Sequence, residues 1–591
     1  MILVFGGTTE GRIAAETLER AGKPFFYSTK DGVQEIKAQN AFCVSGAMDA
    51  DKIRDFVSDQ NIRLIVDAAH PFAVRLHSNI ADVCRSLGID CIRFSRRTLE
   101  PRRGAVYCES FADALNRIHL SGAKILLALT GVQTIPQFKD LMRECKVIFR
   151  VLDRKESIDK ALAEGVKAEH LIFYDENDPG AEKALDMFHP DAIITKESGH
   201  SGGLEEKLKV AAEREIPIYV VRMPRLEEAT EEVFGAYGLR MAVERLLPGF
   251  FDLRIGFTTG SCATAAAKAA MKALLTGNPV DRIEFTLPDG EPMEMKVIFC
   301  KMIQAESWKA TVIKDAGDDP DVTDGCRITA VVNKTDGSGI EIAGGEGVGR
   351  VTLPGLGIAV GEAAINPAPR KMIVDNIRSI YPEGGLRVEI SVADGREIAT
   401  RTFNPKVGVI GGLSILGTSG IVMPFSHEAF VESIRRELSV AVAAGVETIV
   451  INSGAKSESK LKAMFPELPP FAFIHYGNAI GQTLEAAEKA GVKRLIMGIM
   501  IGKAVKMAEG HLDTHSHNVR INIDFIASLA EQTGVTSETI ARIRQIKLAR
   551  ELWDIVPSDI YPDFYAQIRN LCLRKASQIF TSSLEIHLLA D

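Results

Sequence analysis

Met1-Ile-Leu-Val-Phe5 runs straight into Gly6-Gly7-Thr8-Thr9-Glu10-Gly11-Arg12, a short apolar strand that breaks on a glycine turn. An apolar strand that stops at glycines and hands over to a helix opens a parallel α/β sheet, whose ligand sits at the carboxyl ends of the strands. A second beginning stands at Leu253-Arg-Ile-Gly-Phe-Thr258-Thr259-Gly260-Ser261-Cys262, leading into an Ala-rich helix over 263–275. It follows Leu246-Leu247-Pro248-Gly249. The sequence therefore predicts two proteins joined near residue 250, over 1–248 and 254–591, with a linker at 249–253.

Bulk properties agree with that division. A chain of 591 residues exceeds one hydrophobic core, at about 100–200 residues per domain. Its 70 basic and 78 acidic residues leave −8, so no global field favours nucleic acid or a membrane surface. Nine scattered cysteines without CxxC spacing point to a reducing compartment, with neither disulfides nor structural zinc. No apolar run reaches the roughly 18 residues of a membrane span. A cytoplasmic enzyme with small-molecule partners is expected, and self-association into a homo-oligomer is left open.

In the first half, four- to six-residue apolar strands alternate with helices: Ile2–Phe5, 23–27, Leu64–Ala68, 124–130, Ala192–Thr195 and Ile218–Val221. This pattern predicts parallel sheets covered on both faces. The strand ends carry Gly6–Gly11, His70-Pro71, Thr130-Gly131 and Thr195-Lys196-Glu197-Ser198-Gly199. Thr8 takes the place of the central glycine of a G-x-G-x-x-G turn, and Thr8 and Thr9 add hydroxyls. Ser28-Thr29-Lys30 stands where NAD-preferring folds place an acidic residue on the ribose, so NADH and NADPH both remain candidates. Arg93, Arg96, Arg97, Arg102 and Arg103 crowd eleven positions, as either a solvated loop face or an anion-binding wall. His70 and Lys196, each at a strand terminus, are candidate proton donors.

The second half changes texture. Segments 283–287, 293–298, 308–314, 327–333, 340–343 and 386–392 alternate with hairpin-type turns, predicting an antiparallel α+β part over 254–403. From 404 an α/β part is expected, starting with a strand at 407–410 and the glycine turn Gly411-Gly412-Leu-Ser-Ile-Leu-Gly417-Thr418-Ser419-Gly420. Five carboxylates crowd Asp315–Asp324 without EF-hand spacing. His511-Leu-Asp513-Thr-His515-Ser-His517 places alternate polar residues on one face if extended. No metal is expected at either motif.

Long motifs carry a resemblance on each side of the seam. GGTTEGR at 6–12, DAAHPFA at 67–73, LTG at 129–131 and TKESGHSGG at 195–203 resemble the precorrin-6A reductase family over nearly all of 1–247. FTTGSCATAAAKAA, KDAGDDPDVTDG, GGEGVGRVTLPGL, NPKVGVIGGLSILGTSGIV and HLDTHSHNV resemble the cobalt-precorrin-5B C1-methyltransferase family from about 254 to 590. The first resemblance implies two Rossmann-like halves, about 1–120 and 121–248, passing hydride from NADH or NADPH to a corrin precursor. The second implies S-adenosylmethionine as methyl donor and methylation at carbon 1; the strand pattern gives this half an α+β antiparallel-sheet domain and then a Rossmann-like α/β domain.

Candidate roles follow. The nicotinamide site takes Gly6, Gly7, Thr8, Thr9, Glu10, Gly11, Ser28 and Thr29. Pro71, Arg93, Arg96, Thr130, Gly131, Glu197, Ser198 and Gly202 would meet the polyacidic substrate. Gly411, Gly412, Gly417, Thr418, Ser419, Gly420 and Asn478 form the methyl-donor site. Thr258, Thr259, Gly260 and Ser261 either meet substrate carboxylates or simply cap the helix. Asp315, Asp513 or His515 would accept a proton during methylation, and Cys262 reads as packing. A nucleotide-sensing regulatory protein without turnover, and a metal hydrolase built on His511–His517, are the alternatives from other classes.

Overall fold

The computed structural model describes the chain except residues 31, 33, 97–100, 103, 175–181, 199–202, 227–228, 516–518 and 591, and the side chains of 182 and 183. The chain divides into two compact units, Met1–Asp252 and Leu253–Asp591.

The first unit contains β1 (Ile2–Phe5), β2 (Phe25–Thr29), β3 (Ala41–Ser45), β4 (Leu64–Asp67), β5 (Asp90–Phe94), β6 (Ala105–Cys108), β7 (Ile125–Leu129), β8 (Lys146–Leu152), β9 (Leu171–Tyr174), β10 (Ala192–Lys196), β11 (Ile218–Val221) and β12 (Glu231–Val233). Among the described residues they form two six-stranded sheets, ordered β12-β5-β4-β1-β2-β3 and β6-β11-β10-β7-β8-β9. Every pairing in both is parallel. Alternation explains the apolar runs. Ile2, Val4, Leu64 and Val66 join one core, whereas Leu3, Phe5 and Ile65 join another on the opposite face. The second sheet repeats this, with Leu126, Ala128 and Ile194 on one side and Leu127, Leu129 and Ile193 on the other. Both faces are dry, so the ligand end must be an edge where strands stop.

Residues 249–253 differ from the expected linker. Phe250 and Phe251 are buried in the core beneath the first sheet. Lys23 clamps this tail by donating to the Gly249 carbonyl (2.7 Å) and pairing with Asp252 (2.6 Å). Two adjacent aromatics are better served by burial than by water.

The second unit begins with β13 (Gly256–Phe257) and the helix Thr259–Thr276, which is buried along nearly its whole length. Its alanines permit close packing against a sheet of β16 (Phe299–Gln304), β17 (Ser307–Ile313), β18 (Arg327–Thr335), β19 (Ile340–Gly344) and β21 (Gly385–Val392). The hairpin β14 (Arg282–Thr286) and β15 (Pro292–Lys296) lies in the same half. Sheet order is β16-β17-β18-β21-β19, antiparallel except that β19 and β21 run parallel. The parallel pair exists because the helix Pro367–Arg378 lies in the connection between them.

The expected α/β beginning at 407 is not what forms. Asn404–Val407 is a 3₁₀ turn, and β22 (Val409–Ile410) pairs antiparallel with β20 (Arg350–Val351). β23 (Ile421–Val422) pairs antiparallel with β13. The glycine run 411–420 is therefore a strap on the antiparallel half. Ile410 is exposed, which a central strand of a doubly covered sheet would not allow. The parallel sheet begins later, with β24 (Thr448–Asn452), β25 (Phe473–His475), β26 (Arg494–Met500) and β27 (Ser583–Leu589), in the order β25-β24-β26-β27. Among the described residues, no helix is long and apolar enough to cross a membrane.

The carboxylate loop 315–324 ties the antiparallel half together. Asp318 accepts from the Arg254 backbone (2.8 Å), Asp319 from the Phe425 backbone (3.1 Å) and Asp324 from the Ala316 backbone (2.8 Å). Lys314 is fully buried and donates to Asp321 Oδ2 at 2.9 Å. Burial pushes the Asp321 carboxyl up, but the Lys314 ammonium and two Thr323 donors outweigh this and hold it below the ordinary range. A depressed carboxylate stabilises the fold above its unfolded pKa, and that contribution is lost as pH falls through the folded value. Asp321→Asn leaves a buried lysine unpaired and should destabilise this unit by about 3 kcal/mol at neutral pH. Urea unfolding should show the gap to wild type shrinking in acid, below about pH 4. A gap that is absent, or equal at both pH values, would refute the role given to this pair.

Candidate active sites

Each parallel sheet reverses its strand order once, between β1 and β4, between β7 and β10, and between β24 and β26. At such a reversal, loops leave in opposite directions and a crevice opens at the carboxyl ends.

In the first unit, Gly6 and Gly11 lie against Tyr27, and a Cβ at Gly6 would fall 2.2 Å from its ring. Gly7 has φ +91° and open space beyond it. Its N–H donates to Gln34 Oε1 (2.9 Å), and the Gln34 amide donates in turn to the Thr8 carbonyl (2.8 Å). Thr8 caps the helix Thr9–Glu19 by accepting from Gly11 (3.0 Å) and donates to the Ala68 carbonyl (2.7 Å). That pair of bonds stitches the β1 turn to the end of β4. Ser28 is buried and its carbonyl accepts from Gly6, while the Thr29 carbonyl accepts from Gly46.

Several of the expected site residues make contacts within the protein. Glu10 and Arg96, assigned to cofactor and substrate, form a buried pair with each other at 2.7 Å. Arg93 is buried in β5 and donates to Asp67 (3.1 Å), so its charge sits under the turn and not in a substrate wall. Asp67 also meets His77 Nδ1 at 2.6 Å, and His77 Nε2 lies 3.0 Å from the His70 carbonyl. Glu197 accepts from the Met223 backbone (2.8 Å), and the Ser198 carbonyl accepts from Arg96 (3.4 Å). The Thr130 hydroxyl bonds that of Thr134 (2.7 Å), and Gly131, at φ +81°, offers its carbonyl to the same residue. Arg102 is exposed and paired with Glu205. Gly202, Arg97 and Arg103 lie outside the described residues.

His70 and Lys196 do share one electrostatic neighbourhood. His70 Nδ1 accepts from the Phe72 N–H (3.2 Å), which leaves the proton on Nε2. Part of its surface is open to water, yet the surrounding protein, then Lys196 and Arg96, push it down to about 4. Pro71 occupies the tight turn in which Ala73 donates to the His70 carbonyl (2.7 Å). The Lys196 ammonium lies over the rings of Phe72 (5.2 Å) and Phe111 (5.9 Å), and burial lowers it to about 8. Arg150 and Lys207, which the sequence reading did not single out, belong to the same neighbourhood. An arginine inside the apolar run Val147–Leu152 was the available signal.

In the second unit, the hydroxyls at the helix start hold the glycine strap. Thr258 is the N-cap and accepts from Ser261 (3.2 Å). Thr259 donates to the Ser414 and Leu416 carbonyls (both 3.2 Å), Gly260 donates its N–H to Leu416 (2.9 Å), and Ser261 donates to Gly420 (2.6 Å). All four residues are buried, and the hydrogen bonds they make cap the helix and hold the strap. Gly412 is packed on the Gly347 backbone, Gly417 on Thr258 and Gly420 on Ser261 and Leu287, so these glycines serve close approach. Gly411 is exposed at φ +82°, and the Ser419 hydroxyl donates to the Ile421 carbonyl (3.1 Å). Gly417 and Thr418 nevertheless line a cavity of ≈ 450 Å³ together with Asn366, Glu432, Arg435 and Arg436. Cys262 is fully buried and pushed up to about 12 by that burial.

Asn478 follows β25 and is not among the residues that line the ≈ 450 Å³ cavity. Its side-chain oxygen accepts from Lys503 (2.9 Å) and its carbonyl from Thr514 (3.1 Å). Asp513 bridges Ala479 and accepts from the His515 backbone (3.0 Å). Burial, then Lys506, lowers Lys503 to about 8. Asp315 belongs to the carboxylate loop, where it is exposed and accepts from Gly317 (2.8 Å). Among the described residues, no three His, Cys, Asp or Glu side chains gather as metal ligands, and His517 is outside them.

Residues 1–238 match the family model described as Precorrin-6x reductase CbiJ/CobK. Residues 249–424 match the CbiD model and 513–590 that of the CbiD C-terminal domain. A cobalt-precorrin-5B C(1)-methyltransferase of Prosthecochloris aestuarii is 44% identical over 340 residues, covering 56% of this chain and 92% of that protein. The enzyme of the same name from Geobacillus kaustophilus is 42% identical over 328 residues, covering 55% and 88%. A solved structure of CobK precorrin-6A reductase aligns over 42% of this chain and 98% of its own length, at 21% identity and a TM-score of 0.36. The chain thus belongs to the cobalt-precorrin-5B C(1)-methyltransferase family, and carries a precorrin-6x reductase family unit ahead of it.

Proposed function

We propose that this chain is a bifunctional enzyme of cobalamin biosynthesis. Its second unit methylates cobalt-precorrin-5B at C1 from S-adenosylmethionine, and its first unit reduces the resulting cobalt-precorrin-6A to cobalt-precorrin-6B with a nicotinamide. The observation that carries this reading is one polypeptide holding a nearly full-length methyltransferase relative behind a precorrin reductase unit. The product of one would be the substrate of the other.

For the methyl donor we favour the ≈ 450 Å³ cavity, which falls within the roughly 300–1,000 Å³ of small-molecule sites. Arg435 and Arg436 suit the donor's carboxylate and Glu432 its ammonium. The bound sulfonium supplies an activated methyl group. The chain's own task is to align the acceptor carbon and exclude water. Asn478 with Lys503, and Asp513 bridged to the neighbouring Ala479, form a second polar group with His515, suited to holding the acceptor or taking its proton.

In the first unit we assign the nicotinamide to the Gly6–Gly11 turn. Gly7 leaves open space for a phosphate, and its N–H is shared between the Gln34 side-chain oxygen (2.9 Å) and the Tyr27 hydroxyl (3.3 Å), both of which can give way to a ligand. The reduced ring supplies hydride. Lys196 then protonates the neighbouring carbon, because at about 8 it is still charged at neutral pH yet acidic enough to give up its proton. His70, at about 4, is neutral and orients the substrate through its Nε2–H.

Purified full-length protein incubated with cobalt-precorrin-5B, S-adenosylmethionine and NADH or NADPH should add one methyl and then two hydrogens, by mass spectrometry. Omitting the methyl donor should abolish both gains. Folded protein that gives neither defeats the bifunctional reading. For the reductase half-reaction, kcat/KM should stay level near neutrality and fall above about pH 8 as Lys196 loses its proton. Lys196→Met should lower kcat by about 10²–10⁴ and remove that limb. If the limb persists unchanged in the variant, another group donates the proton.

A further inference from the structure

We propose that Lys503, backed by Lys506, seats a carboxylate side chain of the acceptor macrocycle at the crevice of the third parallel sheet. The inference rests on the methyltransferase reading of the second unit and names the residue and the ligand group at its second polar site.

The sheet order β25-β24-β26 puts β24 between two strands whose following segments are joined by one side chain. Lys503 stands in the first turn of the helix Ile501–Glu509, directly after β26. Its ammonium donates to the Gly477 carbonyl and to Asn478 Oδ1 (2.9 Å), both just after β25. Neighbouring strands lie about 4.8 Å apart, so this reach spans the carboxyl end of β24. Beyond that end Gly454, at φ +150°, has open space beside it. Lys503 thus reaches across the strand reversal, where an α/β sheet binds its ligand.

Both acceptors of Lys503 are neutral, and its third N–H has no acceptor among the described residues. Lys506, one turn further along the same helix, is buried and donates to the Thr514 carbonyl (3.1 Å). Among the described residues, neither lysine pairs with a carboxylate. The Thr514 N–H donates to the Asn478 carbonyl (3.1 Å), so one short frame holds the two cations side by side. The Thr514 hydroxyl, also buried, has no hydrogen-bond partner among the described residues.

This arrangement is unfavourable for the protein alone. A cation in the first turn of a helix opposes the helix dipole, which favours an anion there. Two ammonium groups at i and i+3 repel each other, and burial strengthens the repulsion. A carboxylate offsets both. Phe430 is exposed beside Gly477, where a Cβ would lie 3.0 Å from its ring, and offers an apolar contact to a macrocycle. The methionine carboxylate of the methyl donor is the other source of the same group. We favour the macrocycle, because the donor's carboxylate has Arg435 and Arg436 in the ≈ 450 Å³ cavity, which Lys503 does not line.

The test uses full-length protein without nicotinamide, so that methylation alone is followed. Lys503→Gln keeps a hydrogen-bond donor for Gly477 and Asn478 but removes the charge. It should raise the KM for cobalt-precorrin-5B about tenfold, with kcat within about threefold and the KM for S-adenosylmethionine within about twofold. Cobyrinic acid, as a competitor of methylation, should lose about tenfold in affinity, and Lys503→Arg should recover part of the loss. Its heptamethyl ester, the same macrocycle without charge, should compete equally well against wild type and variant. Equal losses for acid and ester would reduce Lys503 to a clamp between loops and overturn the proposal. So would an unchanged KM for the acceptor, and a rise confined to S-adenosylmethionine would give the seat to the donor. Wild-type protein supplies a check that needs neither a folded variant nor turnover. Acetylation of Lys503 by an N-hydroxysuccinimide ester, read by peptide mass spectrometry, should slow by about threefold or more with saturating cobyrinic acid and not with its heptamethyl ester. Unchanged acetylation overturns the seat. Protection in a protein that does not methylate keeps the seat and counts against the methyltransferase reading alone.

Discussion

Parallel neighbours cannot be joined by a hairpin, so each strand of a parallel sheet must be followed by a crossover that packs on one face. Three sheets of this chain obey that constraint, and each changes crossover direction once. The change is unavoidable if both faces are to be covered, because crossovers in a single direction would leave one face bare. The crevices are therefore a by-product of burying Ile2, Leu3, Leu126, Leu127 and Ile449 on two sides of thin sheets. Function uses what packing leaves open.

What fills the edges of the crevices is set by a few buried ionic contacts. Asp67 at the end of β4 takes hydrogen bonds from His77 and Arg93, so one carboxylate fixes the helix Val74–Leu87 and β5 relative to the turn that carries His70. Removing one member of such a set leaves a charge unpaired in the interior, which is far more costly than the set's net contribution. Glu10 and Arg96 do the same between the β1 turn and the segment after β5. Charge at a strand end suggests a substrate in the sequence, and in the structure these residues pair with one another and brace the turns beside them.

This explains which parts of the molecule were legible. Strands with both faces covered, such as Leu64–Asp67 and Ile218–Val221, announce themselves as unbroken apolar runs. β16 does not, because its residues are mostly exposed and carry no alternation. Helix caps at Thr8 and Thr258 follow from local hydroxyl chemistry. Pairings over long separations do not. Nothing near Arg93 says that its partner is Asp67, and nothing in the methyltransferase half says that Asn478 meets Lys503 and Thr514 while Gly417 packs on Thr258. Arg150 was readable in principle, since a cation inside the apolar run Val147–Leu152 needs a reason.

The glycine strap carries the more general lesson. Gly411–Gly420 has the composition of a phosphate- or nucleoside-binding turn, yet its glycines pack on the same unit: Gly412 on the Gly347 backbone, Gly417 on the Thr258 side chain and Gly420 on those of Ser261 and Leu287. Gly412 passes Gly347 so closely that a Cβ would lie 2.4 Å from its oxygen, and Gly417 passes Thr258 at a comparable approach. A chain crossing another at that distance must be glycine whether or not a ligand is near. The crossing then fixes where the strap can run, and the space between it, the Asn366 turn and the arginines of the helix His427–Ala443 becomes the cavity. Any role of the strap in methyl transfer therefore follows from the wall it forms, and its glycines are explained by the contacts that hold that wall in place.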